Sequence, residues 1–290
     1  MASNIYRNYD QEELDWWYNA RGRCKEVEKL KRDQEKGSDA CRQNYRCELN
    51  IRIGDTPREA LDIYYPKGEG PFPIHIFFHG GYWKSNDKES SAYVADSLVP
   101  FGAIAVIGEY TLIPEVRMDE LLRQCRQAVS WVWKNAEKIG GRQDQITISG
   151  HSAGGHITAS MLATDWPSYD PTMPTSPLKA AVATSGLYDL RPVQLCSQND
   201  DLNLSDEEVR NFSPINQAPK CQAKVWLPVG GDEGPEFIRQ TEEMAASWAA
   251  KGVQIHSTVE SGHDHFTIMN QHMDGDCDFA KRLRAHLGIC

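Results

Sequence analysis

The pentad Gly150-His151-Ser152-Ala153-Gly154 sits between two stretches of different periodicity, and that setting constrains the fold more than any other part of the chain. Before it, Gln145-Ile146-Thr147-Ile148-Ser149 alternates polar and apolar residues as a strand does; after it, residues 156–163 read as a helix. Strand, sharp turn and helix in that order hold a turn serine on strained backbone, with its hydroxyl projecting past the end of a sheet. The flanking glycines let neighbouring backbone approach closely. A chain with this signature builds a sheet with a helix packed on it, and Ser152 is its candidate nucleophile.

The remaining pattern extends that unit. Continuous apolar runs at 74–78, 103–107, 180–183 and 225–229 read as strands covered on both faces. Helical segments lie between and after them, at 90–99, 118–139, 235–251 and 276–287; in the second, Leu121, Leu122, Cys125, Val129 and Val132 form one stripe. Strands alternating with helices predict an α/β fold with a mostly parallel central sheet and helices on both faces. Upstream, 45–53 and 59–65 flank the turn signal Gly54-Asp55-Thr56-Pro57 and predict a hairpin. Residues 1–44 are polar and helix-friendly, with Leu14, Trp17 and Tyr18 sharing a face. They are expected to be a helical lead-in to a single domain at 45–290, on which 165–177 and 194–218 are loop or cap insertions.

With 290 residues and 40% hydrophobic content, the chain can bury a substantial core. A formal net charge of −10 argues against nucleic acid or an anionic membrane as partner. No run approaches the roughly 18 apolar residues of a membrane span, and residues 1–10 carry no basic segment followed by an apolar one, so a cytoplasmic location is expected. The eight cysteines lack Cys-x-x-Cys or metal-ligand spacing and are expected to be reduced, although the loose group Cys24, Cys41 and Cys47 leaves a disulfide open. His75, His151, His156, His256, His272 and His286 are not read as zinc ligands and no phosphate-loop signature occurs, so neither metal nor cofactor is expected. The expected partner is a small-molecule substrate, and a homo-oligomer is compatible with the sequence.

A serine hydroxyl is a weak nucleophile at neutral pH and needs a base, an acid to orient that base, and donors for the developing oxyanion. Gly230-Gly231-Asp232-Glu233-Gly234 follows the run at 225–229 and places carboxylates at a strand end. Asp232 is the first choice of acid and Glu233 the alternative, since the turn can present either. Ser261-Gly262-His263-Asp264-His265-Phe266 follows the strand-like 255–259, and His265 is favoured over His263 as base because Phe266 can pack beneath its ring. Serine, acid, histidine is the chain order of the α/β-hydrolase fold. Oxyanion donors are expected from the N–H of Ala153 and from His79-Gly80-Gly81-Tyr82-Trp83, where Gly80 and Gly81 let backbone approach a carbonyl. His79 is read as organising that loop, and His75, His151, His156, His256, His272 and His286 as structural or surface residues.

Together, His79-Gly80-Gly81-Tyr82-Trp83, Gly150 through His156, Ser185-Gly186-Leu187-Tyr188-Asp189-Leu190-Arg191 and Asp264-His265-Phe266 resemble the kynurenine formamidase (arylformamidase) branch of α/β hydrolases. The resemblance runs from about residue 45 to the C-terminus; the lead-in, Tyr9-Asp10-Gln11 through Tyr18-Asn19-Ala20-Arg21, is similar to that of bacterial members. It implies a cofactor-independent hydrolase with Ser152 as nucleophile, His265 as base, Asp232 as orienting acid, and donors from Gly81, Tyr82 and Ala153. The implied reaction converts N-formyl-kynurenine to kynurenine and formate through an acyl-enzyme. A broader carboxylesterase or aryl amidase, carbamates and anilides included, is the alternative within the class; a non-catalytic ligand-binding protein of the same fold is the alternative outside it. Tyr82, Trp83 and Tyr188 are expected to line an aromatic pocket, joined by Trp16 and Trp17 if the lead-in folds over the site.

Overall fold

The computed structural model describes residues 3–289. Eight strands, β1 Arg46–Arg52, β2 Ala60–Tyr65, β3 Phe72–Phe78, β4 Ile104–Gly108, β5 Gly141–His151, β6 Leu178–Thr184, β7 Lys224–Gly230 and β8 Ile255–Glu260, form one sheet in the order β1-β2-β4-β3-β5-β6-β7-β8. The β1–β2 hairpin is antiparallel, and β2 is antiparallel to β4. Every later pairing is parallel, with Ile76 opposite both Val106 and Ile148, and Ser149 opposite Val182.

Side chains alternate across a strand, and the two faces of this sheet carry separate cores. Ile74, Ile76 and Phe78 of β3 pack with Ile146 and Ile148 against the helices Met118–Asn135 and Ala153–Ala163. Phe77 turns to the other face with Ala105, Val182 and Trp226, where the 3-10 helix Ala92–Ser97 and the helix Asp278–Leu287 cover them. His75 is the polar exception in its apolar run. Its ring nitrogens meet the hydroxyls of Thr147 at 2.8 Å and Ser149 at 2.7 Å, and burial lowers its pKa to about 3.

The segment expected as one helix at 90–99 is a single turn at Lys88–Ser91 followed by the 3-10 helices Ala92–Ser97 and Val99–Phe101. Pro100 disfavours helical backbone at Val99, and Gly102 ends the run in the left-handed region. The lead-in is three helices, Gln11–Tyr18, Ala20–Arg23 and Val27–Asn44. A capping box between Asp10 and Glu13 starts the first, and Asn19, whose Oδ1 accepts from the N–H of Gly22, separates it from the second. The lead-in docks through buried polar groups: Tyr18 Oη donates to Glu236 at 3.0 Å and accepts from Gln240 at 2.7 Å. Of the two insertions, 165–177 holds the turn Trp166–Tyr169, and 194–218 holds Asn199–Leu202, Asp206–Phe212 and Pro214–Asn216. All seven described cysteines, Cys24, Cys41 and Cys47 included, are free thiols; Cys290 lies outside the described residues. Among the described residues no helix is long and apolar enough to cross a membrane.

Candidate active site

Strands β3, β5, β6, β7 and β8 are consecutive neighbours in the sheet, and the loop leaving the carboxyl end of each contributes to one site, the crevice where open α/β sheets bind ligands. At the end of β5 the backbone of Ser152 is forced to φ 56°, ψ −118°, a region that non-glycine residues seldom occupy. Its N–H donates to Thr184 O at 2.9 Å on β6, and its carbonyl accepts from the N–H of His156 at 3.1 Å, so the strained turn is bonded on both sides. The pentad glycines are sterically required. A Cβ on Gly150 would lie 2.2 Å from Gly154 O, and one on Gly154 would lie 2.0 Å from Phe78 O.

His265 lies buried past β8, with its Nδ1 2.6 Å from Glu233 Oε2. A carboxylate accepts, so Nδ1 carries the proton and Nε2 keeps the lone pair of a base. Asp264 fixes the loop by accepting from the N–H groups of Phe266 at 2.9 Å and Thr267 at 2.8 Å. The first-choice acid is therefore corrected: Glu233, not Asp232, bonds the imidazole. Successive side chains of the turn point apart; Asp232 is exposed while Glu233 is buried, its longer arm reaching back under the sheet end. The other Glu233 oxygen, Oε1, accepts from the N–H of Gly230 at 2.7 Å and from the hydroxyl of Ser185. Ser185, fully buried at the end of β6 with φ 49°, opens the string 185–191 quoted above but is given no role there, because a serine after an apolar run does not show which way its hydroxyl points. His263 does not line the cavity that holds Ser152 and His265; its Nδ1 is buried without a partner, and its carbonyl accepts from the N–H of Asp232 at 3.0 Å.

The loop after β3 faces Ser152. Gly80, Gly81 and Tyr82 line the shared cavity, and Ala153 is the first residue of the nucleophile helix, where backbone N–H groups have no intrahelical acceptor. Among the described residues nothing accepts from the N–H groups of Gly81, Tyr82 or Ala153. His79 anchors the loop from below, with Nε2 2.9 Å from Glu109 and Nδ1 2.8 Å from Gly80 O, its ring stacked on Tyr110 at 4.4 Å. Burial alone would raise the Glu109 carboxyl, but His79 and Arg58 hold it below the usual range. His151 also lines the cavity, its ring 4.5 Å from that of His265; burial keeps it well below the ordinary imidazole pKa and so uncharged.

The cavity measures about 470 Å³, within the usual range of small-molecule pockets. Its aromatic lining differs from expectation. Tyr82 is in it, whereas Trp83 and Tyr188 are in the core. Trp83 Nε1 donates to His156 Nδ1 at 3.2 Å, and Tyr188 Oη donates to Ala183 O at 2.8 Å, so each indole or phenol handle is satisfied by the fold. Trp16 is 54% exposed, and Trp17 packs beside Gly234 under Arg23; neither reaches the cavity. The lead-in supplies a wall nonetheless, through Tyr18, Asn19, Ala20 and Arg21, and Tyr82 Oη donates to Tyr18 O at 2.8 Å. Phe77, Tyr93 and Phe266 complete the aromatic surface.

Residues 61–230 match the BD-FAE family. The chain is 31% identical over 259 residues to the kynurenine formamidase of Danio rerio, covering 87% of this chain and 86% of that protein. A crystal structure from Silicibacter sp. TM1040 described as a thioesterase superposes with a TM-score of 0.83 at 28% identity, over 93% of this chain and 98% of that one. The esterase of Pyrobaculum calidifontis shares the fold, with a TM-score of 0.70 at 18% identity over 91% of this chain and 94% of that one.

Proposed function

The chain belongs to the BD-FAE family of α/β hydrolases, and from that premise we propose that it is a serine-dependent arylformamidase that converts N-formyl-kynurenine to kynurenine and formate. The observation that carries this reading is the chain of contacts from Ser185 through Glu233 to His265, beside a strained Ser152 in one aromatic cavity. In the proposed mechanism Ser152 Oγ attacks the formyl carbon while Nε2 of His265 takes its proton. Glu233 holds Nδ1–H and stabilises the imidazolium. The carbonyl oxygen becomes an oxyanion that takes up the N–H groups of Gly81, Tyr82 and Ala153, which donate to no other group among the described residues. The imidazolium then protonates the anilide nitrogen, the C–N bond breaks and the arylamine leaves. Water, deprotonated by the same imidazole, attacks the formyl-serine; collapse of the second tetrahedral intermediate releases formate and restores Ser152.

The similarity to the Danio rerio formamidase over most of both chains supports the formyl group as the acyl group transferred. Steady-state kinetics on N-formyl-kynurenine test the roles. Ser152→Ala should abolish turnover, and Glu233→Gln should lower kcat about 10⁴-fold, since a carboxamide there favours the wrong imidazole tautomer. Asp232→Asn should stay within a few-fold of the parent. The acid assignment fails if the effects of the last two substitutions are reversed, and the formamidase reading fails if a simple aryl ester outcompetes N-formyl-kynurenine.

A further inference from the structure

One wall of the active-site cavity is the lead-in helix Val27–Asn44, through Lys31, Gln34 and Glu35. Besides His79 and His265, the charged or titratable side chains lining the cavity include Arg21, Lys31, Glu35, Lys84 and Asp87. Three of these are engaged by protein groups. Arg21 pairs with Glu28, Lys84 pairs with Asp201 at 2.6 Å, and Asp87 accepts from the N–H of Ser90 at 2.8 Å. Among the described residues, Lys31 and Glu35 have neither an ion-pair nor a hydrogen-bond partner, although they lie four residues apart on one helix. Side chains at that spacing share a face with Cβ atoms about 5–6 Å apart, and lysine preceding glutamate is the weaker order for mutual pairing. Lys31 is half-buried and Glu35 exposed, and a cation and an anion side by side on a cavity wall, not neutralising each other, complement a zwitterion. The neighbouring wall, Phe77, Tyr93, Phe266 and Met269, suits an aryl ring.

We propose that Lys31 and Glu35 form a subsite for an α-amino-acid arm on the aryl substrate, with Lys31 Nζ binding the α-carboxylate and the Glu35 carboxylate binding the α-ammonium. The subsite rests on the arylformamidase reading and names the part of the substrate that reading leaves unassigned. It makes the lead-in helix, far in sequence from the catalytic residues, a specificity element. Gln34, between them, donates from its side-chain amide to Asn270 Oδ1 at 2.7 Å, which ties that turn of the helix to the short helix Thr267–Asn270 after His265.

The test compares N-formyl-kynurenine with formanilide, an aryl formamide that lacks the amino-acid arm, in the full-length enzyme and its Lys31→Gln and Glu35→Gln variants. Each substitution removes one charge-assisted contact, so the ratio of kcat/KM for the two substrates should fall about tenfold in each variant, mainly through KM for N-formyl-kynurenine. The double variant should fall by less than the product of the two, because both groups hold one ligand. An unchanged ratio in both variants, with the parent enzyme still turning over N-formyl-kynurenine, overturns the subsite alone. A parent enzyme that hydrolyses formanilide and not N-formyl-kynurenine overturns the arylformamidase reading and the subsite with it.

Discussion

Ser185 shows how much of the proposed catalytic geometry depends on a residue that touches no substrate. Glu233 must present Oε2 to His265, and its freedom to rotate is removed at Oε1 by the Ser185 hydroxyl and the N–H of Gly230. Ser185→Ala leaves Gly230 alone at that oxygen. Losing a hydrogen bond to a charged group costs about 1.5–3 kcal/mol, so kcat should fall about 10- to 100-fold with KM little moved, read in steady-state assays beside Glu233→Gln. The same scale explains what the sequence showed and what it hid. Ser152 and His265 were legible because each sits in a string with a fixed relation to a strand end. The choice between Asp232 and Glu233 depends on which of two adjacent side chains points inward, a fact of turn geometry without periodicity. Trp83 and Tyr188 adjoin motif residues, but their backbones aim them at His156 and Ala183 O, and adjacency in sequence does not carry that direction.

At the scale of elements, the apolar runs located the strands to within a few residues, because strands buried on both faces are written as such. The helical lead-in was legible as helix, but its contact with the site was not, since that contact is made by long-range polar groups. Tyr18 is the joint: its hydroxyl bridges Glu236 and Gln240 of the helix Pro235–Ala249, while its carbonyl receives the Tyr82 hydroxyl from the loop after β3. Tyr18→Phe removes a donor from a buried carboxylate, which keeps Arg239, and the acceptor of the buried Gln240 amide. An unsatisfied buried group costs about 1–3 kcal/mol, so the urea midpoint should drop, and activity should drop further than folding alone accounts for because the cavity wall loosens. A variant with the parent's urea midpoint would show that Tyr18 is not the joint.

Over the whole molecule, charge and burial set how stability depends on pH. His75, His156 and His272 are buried and neutral, burial lowering their pKa values to about 3, about 4 and about 4. In the unfolded chain each would titrate near 6.5. Below that pH the unfolded state takes up protons that the native state refuses, so stability falls with pH by up to about 1.4 kcal/mol per unit for each imidazole. Glu109, held below the usual carboxyl range, adds a further loss once the pH drops beneath the unfolded carboxyl value. Urea midpoints should therefore be lower at pH 5 than at pH 7.5, and a flat profile would contradict the neutral burial of the three rings. The order of strands has another consequence. The loop of His265 hangs from β8, an edge strand hydrogen-bonded to β7 alone and exposing Val259 on its surface, whereas Ser152 leaves β5 from the middle of the sheet. Edge strands open at lower free energy than central ones, so the nucleophile and its base sit at two different depths of local stability. On warming, the hydrolase would fall silent as its rim frays, with the nucleophile turn still folded and the fold recoverable on cooling.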